Sequence, residues 1–157
     1  MKRSTYSLTR EPVADAYRAL VTFCSRHASE ILVVVRQPKH LDATGQHVVE
    51  ALQRLGASCA QASEWPGTKL TRGGFADVYR VPVSSESVSL VADTVDGLYA
   101  WLTPKMPEDL SFLRNDGQDI LATVSHEEEA YLTLSVNEYA EVQADPVLST
   151  LDMLLLE

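Results

Sequence analysis

His126-Glu127-Glu128-Glu129 is the tract of this chain in which a titratable base sits directly beside carboxylates. General acid–base chemistry or a divalent cation would be sought there first. The spacing argues against both. A zinc-protease helix carries HExxH, and position 130 is Ala. Three successive carboxylates on a tight reversal point in different directions, which suits a solvated turn, or a contact with a cationic partner, better than a ligand sphere. Asn115-Asp116-Gly117-Gln118-Asp119 invites comparison with a calcium loop, yet it lacks the DxDxDG order and the distal Glu. Turn chemistry accounts for each of its residues.

Other chemistry-bearing residues are scattered. His40 and His47 flank Asp42, but a shared metal would need a third ligand that is not apparent locally. Gly67-Thr68-Lys69 and Gly73-Gly74 read as a loop, since neither GxxxxGK[ST] nor GxGxxG is present. Cys24 and His27 are i, i+3 neighbours on an expected helix, with nothing local to activate the thiol. Ser84, Ser85, Ser87 and Ser89 open a helix and lack a GxSxG elbow. No catalytic residue, metal ligand or cofactor is therefore assigned, and an enzyme is not expected.

Charge is distributed unevenly. Residues 1–80 carry 11 basic and 7 acidic side chains, net +4; residues 81–157 carry 2 basic and 15 acidic, net −13, giving −9 for the chain. From Asn115 to Glu157 there are ten Asp and Glu and no Lys or Arg. With pI near 4.8, binding to nucleic acid is disfavoured, because that affinity comes mainly from neutralising phosphates. An acidic half points instead toward a basic protein. No apolar run approaches the roughly 20 residues of a membrane span, and Met1-Lys2-Arg3 is followed by polar residues without a signal-peptide core. Membrane association is not expected, and the cytoplasm is the expected compartment. Cys24 and Cys59, 35 positions apart, are expected to be buried reduced thiols.

The elements that must position these residues follow from periodicity. At 45% apolar and 22% charged, 157 residues make about one domain with one core. Val13, Tyr17, Leu20 and Cys24 mark a helix over 12–28, opened by Pro12. Ile31 to Val35 is a β-branched run suited to a central strand. A second helix is capped by Asp42 or Thr44, lined by Val48, Leu52 and Leu55, and stopped at Gly56. Ala57 to Ser63 and Phe75 to Val83 are extended, separated by a loop through Trp65-Pro66-Gly67 and Gly73-Gly74. Ser84 or Ser85 caps a third helix, with Val88, Val91, Val95, Leu98 and Leu102 at helical spacing up to Pro104.

A meander follows. If Asn115-Asp116-Gly117 is a three-residue loop with Gly117 left-handed, Leu110, Phe112, Ile120, Ala122 and Val124 share one face. A two-residue Asp116-Gly117 turn would pair Arg114 with Asp119 and put Leu110 and Phe112 on the opposite face. The three-residue loop is preferred. Ala130, Leu132 and Leu134 alternate in the next strand, Ser135-Val136-Asn137-Glu138 is a capping box, and Asp145-Pro146 starts a further helix with Val147, Leu148, Leu151 and Leu155 behind it.

The expected fold is α+β (mixed α/β), one domain over 1–157. A central, mostly antiparallel or mixed sheet of about five to six strands carries packed helices, and a C-terminal β-meander leads into one or two short helices. On it, Asp116, Asp119, Glu127, Glu128, Glu129, Glu138, Glu141 and Asp145 are expected to gather as an acidic rim. In size and charge, though in no motif, the chain resembles bacterial immunity proteins and antitoxins that occlude basic nuclease toxins. That likeness implies a cationic, toxin-like partner steered in by the rim. Two alternatives belong to other classes. One is a small enzyme or ligand-binding domain with a pocket at the 67–74 loop, using Lys69, Arg72 and His40. The other is a subunit of a larger assembly contacting through the leucine-rich tail Leu148 to Leu156.

Overall fold

The computed structural model describes residues 2–156. Ten strands and four α-helices follow one another: β1 (Arg3–Leu8), α1 (Asp15–His27), β2 (Glu30–Val35), α2 (Ala43–Arg54), β3 (Ser58–Ala62), β4 (Glu64–Trp65), β5 (Thr68–Lys69), β6 (Ala76–Pro82), α3 (Ser85–Thr94), β7 (Glu108–Leu113), β8 (Asp119–Val124), β9 (Glu129–Ser135), α4 (Val136–Ala144) and β10 (Met153–Leu156). Eight strands form one sheet in the order β10-β1-β9-β8-β7-β2-β6-β3. Every ladder in it is antiparallel. The α+β class stands, but the sheet has eight strands, not five to six.

The added strands are β1 and β10, which pair with each other at one end of the sheet. β1 is the polar Arg-Ser-Thr-Tyr-Ser-Leu segment, and its hydrogen-bonded neighbours β9 and β10 supply what its side chains lack. The tail Met153–Leu156 is a strand, not the continuation of a helix; only Leu148–Thr150 forms a turn of 3₁₀ helix behind the Asp145 cap. Pro66-Gly67 closes a two-residue hairpin between β4 and β5, where a loop was expected.

Burial follows the pattern for most elements. α1 buries Tyr17, Leu20, Val21, Phe23 and Cys24, whereas Val13 lies before the helix and is 52% exposed. Tyr17 donates to Val91 O at 2.6 Å and accepts from Trp101 Nε1 at 2.9 Å, so two large buried aromatics keep their polar atoms bonded. Asp42 caps α2 by accepting from Gly45 N at 3.1 Å, and Gly56 beyond it has φ +97°. Ser84 and Ser87 form a reciprocal capping box on α3, which ends at Thr94 instead of running to Pro104. Cys24 is buried, and burial pushes its thiol pKa up; Cys59, contrary to expectation, is exposed on edge strand β3.

Two β-bulges set the register on either side of β7. At the β7–β8 end, Arg114 N donates to Gln118 O and Gly117, φ +87°, closes the expected three-residue loop. Leu113 then faces Asp119 but Phe112 faces Leu121, so Ile120 is an inserted residue. The insertion turns the strand over: Leu121, not Ala122 and Val124, is opposite Phe112. Ile120 and Leu121 both enter the main core. Between β2 and β7, Leu32 faces Ser111 while Val34 faces Glu108, which inserts one residue in β7 around Asp109. Asp109 has φ +59°, a left-handed conformation that Asp tolerates better than most side chains.

Candidate functional site

The eight acidic candidates do not form one rim. The Asn115–Gly117 and Ser125–Glu128 reversals lie at opposite ends of the six-residue β8, roughly 20 Å apart at about 3.4 Å per residue. At the first end most carboxylates have local work. Asp116 pairs with Arg3 at 2.9 Å and accepts from Gln118 N, and the Gln118 amide with the Arg3 guanidinium lowers its pKa. Glu138 accepts both arms of the Arg114 guanidinium at 2.7 Å and closes the capping box with Ser135. Burial would raise its pKa, but Arg114, Ser135 N–H and His27 outweigh that and hold it at about 2. Glu141 meets Arg26 at 2.6 Å and His27 at 3.1 Å, which lower its pKa in that order. Asp145 accepts from the N–H groups of Leu148 and Val147 and is likewise lowered. Asp119 is partly exposed at the start of β8.

The other end is different. Glu127, Glu128 and Glu129 are exposed, with Glu128 left-handed at φ +55°. Glu129 accepts from the Tyr131 hydroxyl at 2.8 Å, and Glu127 lies 3.7 Å from His126. Glu11 joins them from the segment after β1: its Oε2 accepts from Tyr99 N at 2.8 Å, and with Glu128, Tyr99, Thr9 and Arg10 it lines a cavity of about 160 Å³. Burial, then the charges of Glu11, Glu128 and Glu129, push the Tyr99 phenol up to about 12. The Tyr99 hydroxyl is buried with no hydrogen-bond partner among the described residues. No Lys or Arg among the described residues lies within ion-pair distance of Glu11, Glu127, Glu128 or Glu129. Arg10, which lines that cavity, donates to Thr150 O at 3.4 Å.

Beside this end sits a cluster that the sequence did not single out. The bulge carries Asp109 into the interior, where Oδ2 accepts from Trp65 Nε1 at 3.0 Å and Oδ1 from Ser125 N at 2.9 Å. Arg36 follows β2, with Nε 3.3 Å from Glu108 and Nη2 3.8 Å from Asp109, and its guanidinium stacks 5.3 Å from the Trp65 ring centre. One ligand atom each from Glu108, Asp109 and His126 lies within 4.8 Å of the others, so these residues could hold a divalent cation. The guanidinium already meets both carboxylates, and a cation would have to displace it. Nothing in Glu108-Asp109 at the head of an apolar strand signals burial; the bulge decides it.

A cavity of about 310 Å³ opens between the β4–β5 hairpin and the Ser125–Glu127 turn, lined in part by Arg36, Thr68, Lys69, Thr71, His126 and Glu127. It lies where the alternative reading put a pocket. Lys69 lines it; Arg72 and His40 do not. Arg36 Nε and Nη2 and Thr68 Oγ1 have no hydrogen-bond partner among the described residues. A larger open cleft of about 480 Å³, between α2 and α3, is mainly apolar and brings no such donors together. The Cys24–His27 pair is not a dyad, because the His27 ring faces Glu138 at 3.3 Å and Glu141 at 3.1 Å.

No family model matches the chain, no curated protein matches it, and no solved structure matches it. No helix among the described residues is long and apolar enough to cross a membrane.

Proposed function

We propose that this chain is an acidic protein-binding domain of the immunity or antitoxin kind, which occludes a basic, toxin-like partner through the β8–β9 end of its sheet. One observation carries the reading: Glu11, Glu127, Glu128 and Glu129 share that end and none is ion-paired with a Lys or Arg among the described residues, His126 at 3.7 Å from Glu127 and Arg10, turned to Thr150 O, being the basic groups beside them. By contrast Asp116, Glu138, Glu141 and Asp145 are answered by Arg3, Arg114, Arg26 and backbone N–H groups. Carboxylates without a Lys or Arg partner steer a cationic surface and can keep their present bonds, Glu11 to Tyr99 N–H and Glu129 to the Tyr131 hydroxyl, whereas ion-paired ones must first give up a partner. The contact set therefore narrows to Glu127, Glu128 and Glu129 and gains Glu11, while Asp119, partly exposed at the opposite end of β8, falls outside it.

The test is capture from native lysate on the immobilised chain, comparing wild type with a Glu11→Gln, Glu127→Gln, Glu128→Gln, Glu129→Gln variant. A basic protein retained by the first and lost by the second supports the proposal. Identical retention by both contradicts it.

A second reading, a pocket for a small polar ligand, is favoured by the buried Thr68 Oγ1, which has no hydrogen-bond partner among the described residues, beside Lys69 and the ion-paired Arg36 at the 310 Å³ cavity. It predicts chemical-shift changes confined to the cavity when small carboxylate or phosphate compounds are added. Their absence across such a series would remove it.

A further inference from the structure

β10 hydrogen-bonds to β1 in the register Leu8↔Met153, Ser7↔Leu154, Tyr6↔Leu155 and Thr5↔Leu156, and among the described residues nothing pairs with its other side. Thr9 N donates to Asp152 O at 2.9 Å, which makes Thr9 and Asp152 a hydrogen-bonded pair of the same ladder. Such pairs alternate with non-bonded ones along an antiparallel ladder. Leu154 and Leu156 therefore bond toward β1, and the N–H and C=O groups of Met153 and Leu155 point out of the open edge.

Edges are ordinarily protected by lysine, proline, a bulge or a covering element. Apart from being short, Met153-Leu154-Leu155-Leu156 has none of these. Leu154 and Leu155 are each 57% exposed and Leu156 is 38% exposed. Leu154 and Leu156 stand on one face and Met153 and Leu155 on the other, so an added strand would find apolar neighbours on both sides. The Met153 end is also the acidic end: Asp152 precedes it, Glu11 follows β1, and β9, which begins at Glu129, lies two strands or about 10 Å away.

We propose that the open edge of β10 is a strand-addition site for an extended segment of the cationic partner. The segment is apolar along Met153–Leu156 and carries Lys or Arg where it passes Asp152, Glu11, Glu128 and Glu129. The charge of the occupant rests on the function proposed above; the strand pairing rests on the edge itself. A second copy of the chain fits less well, since it brings net charge −9 against the same charge. Every ladder in the sheet is antiparallel, so the added strand runs against β10 and its C-terminal end lies at Asp152.

The probe is a fluorescein-labelled peptide, Val-Thr-Val-Thr-Val-Lys-Lys, titrated against the purified chain by fluorescence anisotropy. Wild type should bind it saturably, and peptide should slow hydrogen exchange at the Met153 and Leu155 amides. Leu155→Pro removes an outward N–H without touching the β1 ladder, and should weaken binding about tenfold, while Leu155→Thr, which keeps the N–H, should stay within about threefold. Absence of saturable binding, or unchanged exchange at Met153 and Leu155 in peptide-bound wild type, overturns the edge site. Loss of binding in the Glu11, Glu127, Glu128, Glu129 to Gln variant but not in Leu155→Pro also overturns it, while leaving the acidic reading intact. Loss in Leu155→Pro alone keeps the edge site and counts against the charge of the occupant. Sedimentation as a dimer that Leu155→Pro dissolves would make a second copy the occupant and overturn the proposal.

Discussion

The Trp65 indole N–H donates to the Asp109 carboxylate at 3.0 Å, tying the β4–β5 hairpin to the bulge in β7. Asp109 is fully buried, so this bond and the one from Ser125 N are what make a left-handed carboxylate residue tolerable inside the sheet.

Trp65→Phe keeps the ring and deletes the donor. Leaving a buried acceptor short of a partner costs about 1–3 kcal/mol. Urea unfolding should register that loss with an unchanged m-value, and the chemical shift of the Ser125 amide should move because its carboxylate partner relaxes.

Arg114 and Glu138 form a buried ion pair, bidentate at 2.7 Å. Arg114→Met strands a buried carboxylate and should destabilise by about 3–5 kcal/mol, while Arg114→Met with Glu138→Leu should recover most of it. A double-mutant cycle by chemical denaturation measures the coupling; equal costs for single and double variants would exclude it.

Acid stability follows from the same pair. The Glu138 pKa is lowered to about 2 from an ordinary 4.5, so its contribution is fully present above the unfolded-state value and is lost as pH falls toward the folded-state value. Stability should therefore drop between about pH 4.5 and pH 2, and Glu138→Gln should flatten the pH dependence of the melting midpoint across that window.

Gly67 and Gly73 both have positive φ, +84° and +72°, but only at Gly67 would a Cβ meet a neighbour, Val124 Cγ2 at 2.9 Å. Gly67→Ala should cost more than about 1 kcal/mol and exceed the cost of Gly73→Ala, which adds backbone strain alone. Thermal unfolding of the two variants checks the order.

Where local chemistry decides structure, the sequence was readable. Asp42, Ser84 and Ser135 cap the helices expected of them, and Gly117 takes the left-handed place in its loop. What escaped depends on partners distant in sequence. β1 has no apolar period because it is completed by β9 and β10, and β10 is a leucine run with no period at all. The bulge at Ile120 inverts a face that strict alternation assigned otherwise, and the bulge at Asp109 buries a carboxylate that looked like a surface residue. The charge count locates the acidic candidates, but Arg3, Arg26 and Arg114, which pair with three of them, lie outside the acidic stretch and do not show in that count.

The measurement that bears most directly on the acidic end is the association rate of the captured basic partner against ionic strength, by stopped-flow fluorescence. For wild type the rate should fall steeply with salt, and the Glu11, Glu127, Glu128, Glu129 to Gln variant should associate at least about tenfold more slowly at low salt and converge with wild type at high salt. Equal rates for the two proteins at every salt concentration would contradict the assignment of function to those four carboxylates.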